Sequence, residues 1–263
     1  MNNWMCSHWF YEILNMLLTG KAEYLPRGKA ADMIDANSPD QVEGIRSPRV
    51  LNTHVRFRYL PREAIEKKTK IVVLLRNPKD VCVSLYNHMK DWLHGGYTGS
   101  WQDFFDIYMD TGFWYGNWFD TVLDWEQEMA ENQHLPIRLA SFEEMFKNPV
   151  EQILELSKFL ELDRSPDLCS QIAEKCSFHQ LKAASSNMKD QEFPPGTWRE
   201  NAPGFFRKGK VGDWKNWFTV AQNERFDSIY KSCMKESKHV RDKWTIAVQL
   251  GPVCINTIIK WIC

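Results

Sequence analysis

The sequence predicts a single α/β domain, with a parallel sheet and helices on both of its faces. Residues 49–54 and 71–75 are short runs bounded by turn signals, and the second run is apolar enough for a buried parallel strand. A third such run, at residues 137–140, is followed by a helix-start signal. Repeated strand-to-helix order of this kind predicts a parallel sheet between two helical layers.

Composition narrows the possible function classes. The chain has 263 residues, of which 43% are apolar and 25% charged, as is typical of one soluble globular domain. Its formal net charge of −1 gives no general attraction to nucleic acid or to an anionic membrane, so an anionic ligand needs a local basic cluster. Seven scattered cysteines without a C-x-x-C pair argue against a disulfide framework and a zinc site. We therefore expect a cytoplasmic protein without a metal.

Helix and loop signals follow along the chain. Ser7 can cap a helix whose apolar residues recur at helical spacing, and Gly20 can end it. Residues 28–48 are rich in turn formers and are predicted to form a loop. Residues 185–212 carry repeated proline and glycine, which predicts a long irregular segment of the kind that often covers a ligand.

The residues after the second strand predict an anion site. Asn77 supplies a helix cap, Pro78 occupies the first helical position, and Asp80 lies in the first turn. This order places Arg76 at the carboxyl end of a strand beside an open helix N-terminus, where α/β sheets bind anionic ligands. Without that position, Arg76 would be interpreted as a surface arginine.

Three segments, residues 76–84, 207–215 and 218–227, resemble the signature segments of cytosolic sulfotransferases. The resemblance extends from about Ser7 to about Lys235. It implies transfer of a sulfuryl group from 3′-phosphoadenosine 5′-phosphosulfate (PAPS) to a hydroxyl or amine of a small, aromatic acceptor. The implied fold is the nucleotide-kinase-like fold of that family.

The resemblance divides the chain into two parts. Residues 1–240 are expected to form the sulfotransferase domain, and residues 241–263 a divergent apolar tail. A phosphoryl-transferring kinase is a weaker interpretation, because the chain has no G-x-x-x-x-G-K-[ST] loop and no evident acidic magnesium site.

The resemblance also implies which residues bind the 3′-phosphate of PAPS. They are Arg76, Ser84, Arg207, Lys208 and Gly209. A guanidinium can donate two parallel hydrogen bonds to a phosphate, and glycine lets backbone amides approach an anion. Taken alone, the basic triplet at 207–209 would be a solvated loop.

Aromatic residues are implied around the adenine of PAPS, where stacking on a base is worth about 1–3 kcal/mol in nucleic-acid binders. The matching residues are Trp9, Phe142 and Phe178, with Phe205 and Phe206 expected to line the same cleft. Ser7 and His8 would form, with Trp9, what remains of the loop that binds the sulfate. Each of these aromatic residues taken singly would be a core residue.

His54 matches the catalytic base of the family. Sulfuryl transfer requires removal of the acceptor proton, and an imidazole suits that role. Asn52 matches a position at which much of the family has a lysine beside the transferred group, so the resemblance implies that Asn52 lies in the acceptor-binding region.

The N-terminal segment departs from the family pattern. Trp4 occupies the position of a loop lysine, and Cys6 that of a loop glycine. The strand that precedes this loop in the family is expected to be missing, which would leave its neighbours with unpaired edges. A catalytically impaired, nucleotide-binding or dimerising relative is therefore the alternative function.

A self-complementary segment implies a homodimer. Lys215, Thr219, Val220 and Glu224 match the short dimerisation segment of the family, in which each chain meets its own copy. The other interpretation is a helix start with a solvated face.

Overall fold

The structure is a computed structural model that describes residues 4–93, 96–112, 116–184, 196–200, 202, 206–237, 240 and 256–261. Four strands form one sheet in the described part of the chain: β1 (Arg49–Thr53), β2 (Lys70–Leu75), β3 (Ile137–Ser141) and β4 (Asn256–Trp261). Their order in the sheet is β1-β4-β2-β3. The three strands predicted from the sequence are thus confirmed within one residue at each end.

The predicted parallel pairing is present between β2 and β3, and a further strand, β4, adds antiparallel pairings to the sheet. Strands β2 and β3 pair in parallel, whereas β4 pairs antiparallel with both β1 and β2. Ile258 of β4 lies opposite Asn52 on one side and Val72 on the other. The expectation of unpaired edges between β1 and β2 is wrong, because part of the C-terminal tail lies between them.

Helices precede and follow the strands. They are α1 (Trp4–Thr19), α2 (Pro39–Glu43), α3 (Arg62–Glu66), α4 (Pro78–Asp91), α5 (Trp101–Asp110), α6 (Trp118–Glu131), α7 (Phe142–Lys147), α8 (Pro149–Phe159), α9 (Pro166–Lys175) and α10 (Val220–Cys233). Residues 178–184 are helical too. None of the helices within the described ranges is long and apolar enough to cross a membrane.

Helices cover both faces of the sheet, as predicted. Because side chains alternate along a strand, Ile71 and Val73 of β2 join one buried cluster with residues of α4, α5 and α6. Val72 and Leu74 join the other cluster, with residues of α1, α8 and α9. The α/β fold class is therefore confirmed.

Two local predictions need correction. Helix α1 begins at Trp4, so Ser7 lies inside the helix and does not cap it. Gly20 ends the helix as predicted, with a φ of 72° that favours glycine. Residues 28–48 contain two 3₁₀ turns and α2, which begins at a capping box formed by Ser38 and Gln41. Residues that favour turns, such as Ser38, also cap helices. The sequence of this segment therefore predicted a loop although it contains a short helix.

Candidate active site

The carboxyl ends of β1 and β2 lie at the same edge of the sheet, because both strands run antiparallel to β4. His54 directly follows β1, and Arg76 directly follows β2. The Asn77 side chain caps α4 by accepting from the amides of Lys79 and Asp80, at 2.6 and 3.2 Å. The predicted base and the predicted anion-binding arginine therefore lie at one edge, with a helix N-terminus beside them.

Arg76 is buried and lies against the aromatic part of the site. Its exposed fraction is 2%, and its guanidinium carbon is 4.8 Å from the centre of the Phe142 ring. This distance suits a cation–π contact. Burial raises the pKa of Glu143 well above its ordinary value, and the charge of Arg76 opposes that rise. A residue predicted to bind phosphate, Arg76, therefore contacts a residue predicted to stack on adenine, Phe142.

An apolar cavity of about 220 Å³ opens beside Phe142. It is lined by Trp9, Phe142, Met145, Phe146, Pro149, Ala173, Cys176, Ser177, Phe178, Leu181, Phe206 and Gly209. The rings of Trp9 and Phe142 meet edge to face, with their centres 5.2 Å apart. Four predicted aromatic residues from separate parts of the chain therefore line one cavity, which has walls of the kind that a base can stack against.

Gly209 lies where no side chain fits. Its φ is 59°, and a Cβ placed there would come within 2.0 Å of the Phe178 ring. The backbone of the predicted phosphate clamp consequently passes close to an aromatic wall of the cavity.

Asp80 joins two of the three signature segments. Its carboxylate accepts from the amide of Gly212 at 2.7 Å and from that of Trp214 at 2.9 Å. Burial raises the pKa of Asp80, while the charge of Arg76 lowers it. This buried carboxylate holds the basic segment that begins at Arg207 against the start of α4.

The two basic side chains of the clamp share one carboxylate. Asp213 accepts from the Arg207 guanidinium at 2.5 Å and from the Lys208 ammonium at 2.7 Å. Burial opposes ionisation of Asp213, but the hydrogen bonds from Lys208 and Arg207 outweigh it and lower the pKa to about 2. Asp213 thus orients both cations. The sequence patterns did not single out Asp213, although it lies within the segment 207–215.

His54 is buried, with the Asp35 carboxylate near its ring. Its exposed fraction is 7%, and its Nδ1 atom lies 3.9 Å from the Asp35 carboxylate. Burial, together with the charge of Lys29, lowers the pKa of His54 to about 3, although Asp35 opposes the shift. The imidazole is therefore neutral at physiological pH, as a proton acceptor must be.

The other predicted residues have different surroundings. Asn52 is buried in β1 and donates from Nδ2 to the Lys29 carbonyl at 3.0 Å. Ser84 lies in α4, partly buried, and does not line the cavity. Ser7 and His8 are buried in α1. Phe205 lies outside the described residues.

The segment expected to form a sulfate-binding loop is helical. Residues 4–9 form the start of α1, and in an α-helix each amide donates to the carbonyl four residues earlier. The amides of His8 and Trp9 therefore lie within the helix. As for metal sites, no group of three or more potential ligand side chains was found in the described part of the chain.

Comparison with known proteins identifies the family of the chain. A family described as "Sulfotransferase domain" matches residues 2–238. Sulfotransferase 1B1 of the dog, Canis lupus familiaris, is 32% identical over 239 residues, which cover 86% of this chain and 79% of that protein. Sulfotransferase 1A1 of the rat, Rattus norvegicus, is 31% identical over 239 residues, which cover 87% of this chain and 80% of that protein.

The fold has a solved counterpart. The crystal structure of mouse sulfotransferase SULT7A1 complexed with PAP superimposes with a TM-score of 0.72 at 27% identity, covering 94% of this chain and 85% of that one. The family match covers most of the chain and includes all three segments that carried the resemblance. The chain therefore belongs to the sulfotransferase family, as those segments predicted.

Proposed function

We propose that this sulfotransferase transfers the sulfuryl group of PAPS to a hydroxyl or amine of a small aromatic acceptor. The observation that carries the proposal is the aromatic cavity, which has Arg76 against its Phe142 wall and Gly209 in its lining. An adenine would lie among the rings. The 3′-phosphate would then bind the guanidinium groups of Arg76 and Arg207, the Lys208 ammonium and the Ser84 hydroxyl.

The proposed reaction is a direct transfer at sulfur. The acceptor oxygen or nitrogen forms a bond to sulfur as its proton passes to His54. The bond between sulfur and the bridging oxygen breaks, and its electron pair stays on the 5′-phosphate of adenosine 3′,5′-bisphosphate (PAP). The negative charge of bound PAPS would raise the pKa of His54 toward neutrality, which would make the imidazole a stronger base.

One observation favours the alternative, a relative that binds nucleotide but transfers sulfate poorly. Residues 4–6 are helical, whereas a loop would be needed to direct successive backbone amides at the transferred group. The charge of the family lysine is missing at Trp4 as well. Nucleotide binding and sulfuryl transfer therefore need separate tests.

Nucleotide binding is tested by thermal denaturation with PAP. A ligand that binds the native state stabilises it by mass action, so PAP at about 100 times its Kd should stabilise the protein by roughly 2.7 kcal/mol and raise its Tm. Arg207→Ala should remove most of this shift, because it removes a cation of the clamp. Arg199→Ala is a matched control and should keep the shift. A wild-type protein whose Tm does not respond to PAP contradicts the nucleotide site.

We also propose a homodimer formed through the segment from Lys215 to Glu224. Val220 is 76% exposed, and Lys215, Thr219 and Glu224 are exposed as well. In a twofold contact each segment meets its own copy, so a charge introduced near the axis faces itself.

The dimer proposal predicts that Val220→Glu shifts the protein toward monomer, because two like charges would be brought together at the contact. Sedimentation equilibrium measures this mass directly. Ile107→Glu, which changes another exposed apolar residue, should leave the mass unchanged. If wild type and Val220→Glu have the same mass, the segment does not form the interface.

A further inference from the structure

Lys29 is a lysine that is almost completely buried at the His54 end of the site. It opens the 3₁₀ turn Lys29–Asp32, and its exposed fraction is 1%. An ammonium group is costly to remove from water, so lysine is rarely buried to this extent. Neither the sequence patterns nor the proposed nucleotide site accounts for this charge.

The backbone around Lys29 is fixed against β1. The Lys29 carbonyl accepts from the Asn52 side chain at 3.0 Å, and Met33 forms a parallel bridge with Asn52. The other side of the turn is held to α1, since the Tyr11 hydroxyl donates to the buried Asp32 carboxylate at 2.6 Å. Lys29 therefore lies on a turn that is bonded to neighbours on both sides, beside the strand that directly precedes the predicted base.

Two charged groups of this segment act on His54. Asp35 lies 3.9 Å from its Nδ1 atom. The Lys29 carbonyl is 3.0 Å from the side chain of Asn52, two residues before His54, and the charge of Lys29 lowers the pKa of the imidazole. The cations of the clamp, by contrast, belong to the segment that is held against the start of α4. Lys29 thus brings positive charge to the end of the site where the acceptor would react.

The proposed reaction requires charge stabilisation at this end. Negative charge moves from the acceptor oxygen through the sulfuryl group to the bridging oxygen, and fixed positive charge lowers the energy of that transition state. Asn52, two residues before His54, is uncharged. Given the proposed function, we infer that the Lys29 ammonium supplies the positive charge that stabilises the transferring sulfuryl group beside His54.

Lys29→Met tests this role with a side chain of similar length and no charge. We expect kcat to fall by about 10²-fold, as when one electrostatic donor is lost, while the Tm shift with PAP stays as in wild type. Lys29→Arg should retain most of the activity. Adding Asn52→Lys to Lys29→Met should raise kcat again, because it returns a cation to the same end of the site. Lys158→Met, which removes an exposed lysine, is the matched control.

The pH dependence supplies a readout that a purely structural role would not change. Because Lys29 lowers the pKa of His54, its removal should move the acid limb of kcat/KM to higher pH. An unchanged kcat in Lys29→Met overturns the inference. So does a combined loss of kcat and of the PAP response that Lys29→Arg cannot restore, since that indicates a structural role.

The two proposals can fail separately. If the wild-type protein binds PAP but forms no sulfated product, sulfuryl transfer is wrong for this chain. The electrostatic coupling on which the Lys29 inference depends is then tested by NMR titration of His54, whose pKa should rise in Lys29→Met and not in Lys158→Met. An unchanged titration curve refutes the electrostatic coupling between Lys29 and His54.

Discussion

The His54→Ala variant should lose sulfuryl transfer by a factor of about 10²–10⁴, which is the range expected when a positioned general base is removed. The loss should appear in kcat for the transfer of sulfate from PAPS to a phenol. Binding should be spared, because His54 lies at the end of β1 and does not line the aromatic cavity. The Tm shift with PAP should therefore match that of wild type.

A matched control separates this effect from the loss of any histidine. His134 is exposed and lies just before β3, so His134→Ala should retain wild-type kcat. If His54→Ala transfers sulfate as fast as wild type, another group accepts the proton. If it loses both activity and the response to PAP, His54 supports the fold of the site.

The pH profile of the wild-type enzyme follows from the surroundings of His54. Burial lowers its pKa to about 3 in the free protein, below the ordinary value of about 6.5. The base form therefore persists as the pH falls through the range in which an exposed histidine would become charged. The acid limb of kcat/KM for PAPS, which reports groups of the enzyme before PAPS binds, should lie below pH 6.5.

Much of the fold could be predicted because its signals are local. The apolar run at residues 71–75 forms a buried strand, and Asn77 caps α4 through two amides. The predicted aromatic residues lie far apart in the sequence, yet four of them line one cavity. Their common location depended on the family resemblance, because each residue alone is typical of a hydrophobic core.

The other features of the fold and the site depend on contacts between distant residues, which local sequence patterns do not predict. Strand β4 of the C-terminal tail pairs with strands more than 180 residues earlier in the chain. No strand was predicted in the tail, because residues such as Gly251 and Pro252 interrupt its apolar pattern. The burial of Lys29 and the pairing of Asp213 with two cations were not predicted either, because both arise only after the chain has folded. A lysine in a turn-rich segment would ordinarily be solvated.

The helical start of α1 replaces the loop that the family resemblance implies for the transferred sulfate. The triple change Trp4→Lys, Met5→Ser and Cys6→Gly should raise kcat by about 10², because it returns one cation and frees backbone amides for the transferred group. Glycine is needed because it disfavours the helix and permits loop conformations that cysteine resists. The gain should fall on kcat and leave PAP binding unchanged, since these groups would act on charge that develops in the transition state.

The control for this variant differs at one residue. Trp4→Lys, Met5→Ser and Cys6→Ala introduces the same cation but favours the helix, because alanine has the highest helix propensity. It should therefore gain less than the glycine variant. His54→Ala in the glycine variant should remove most of the gain, because the restored charge acts on the same transition state. Equal rates for wild type and the glycine variant would show that the N-terminal segment does not limit transfer, and our interpretation of Trp4 and Cys6 would be wrong.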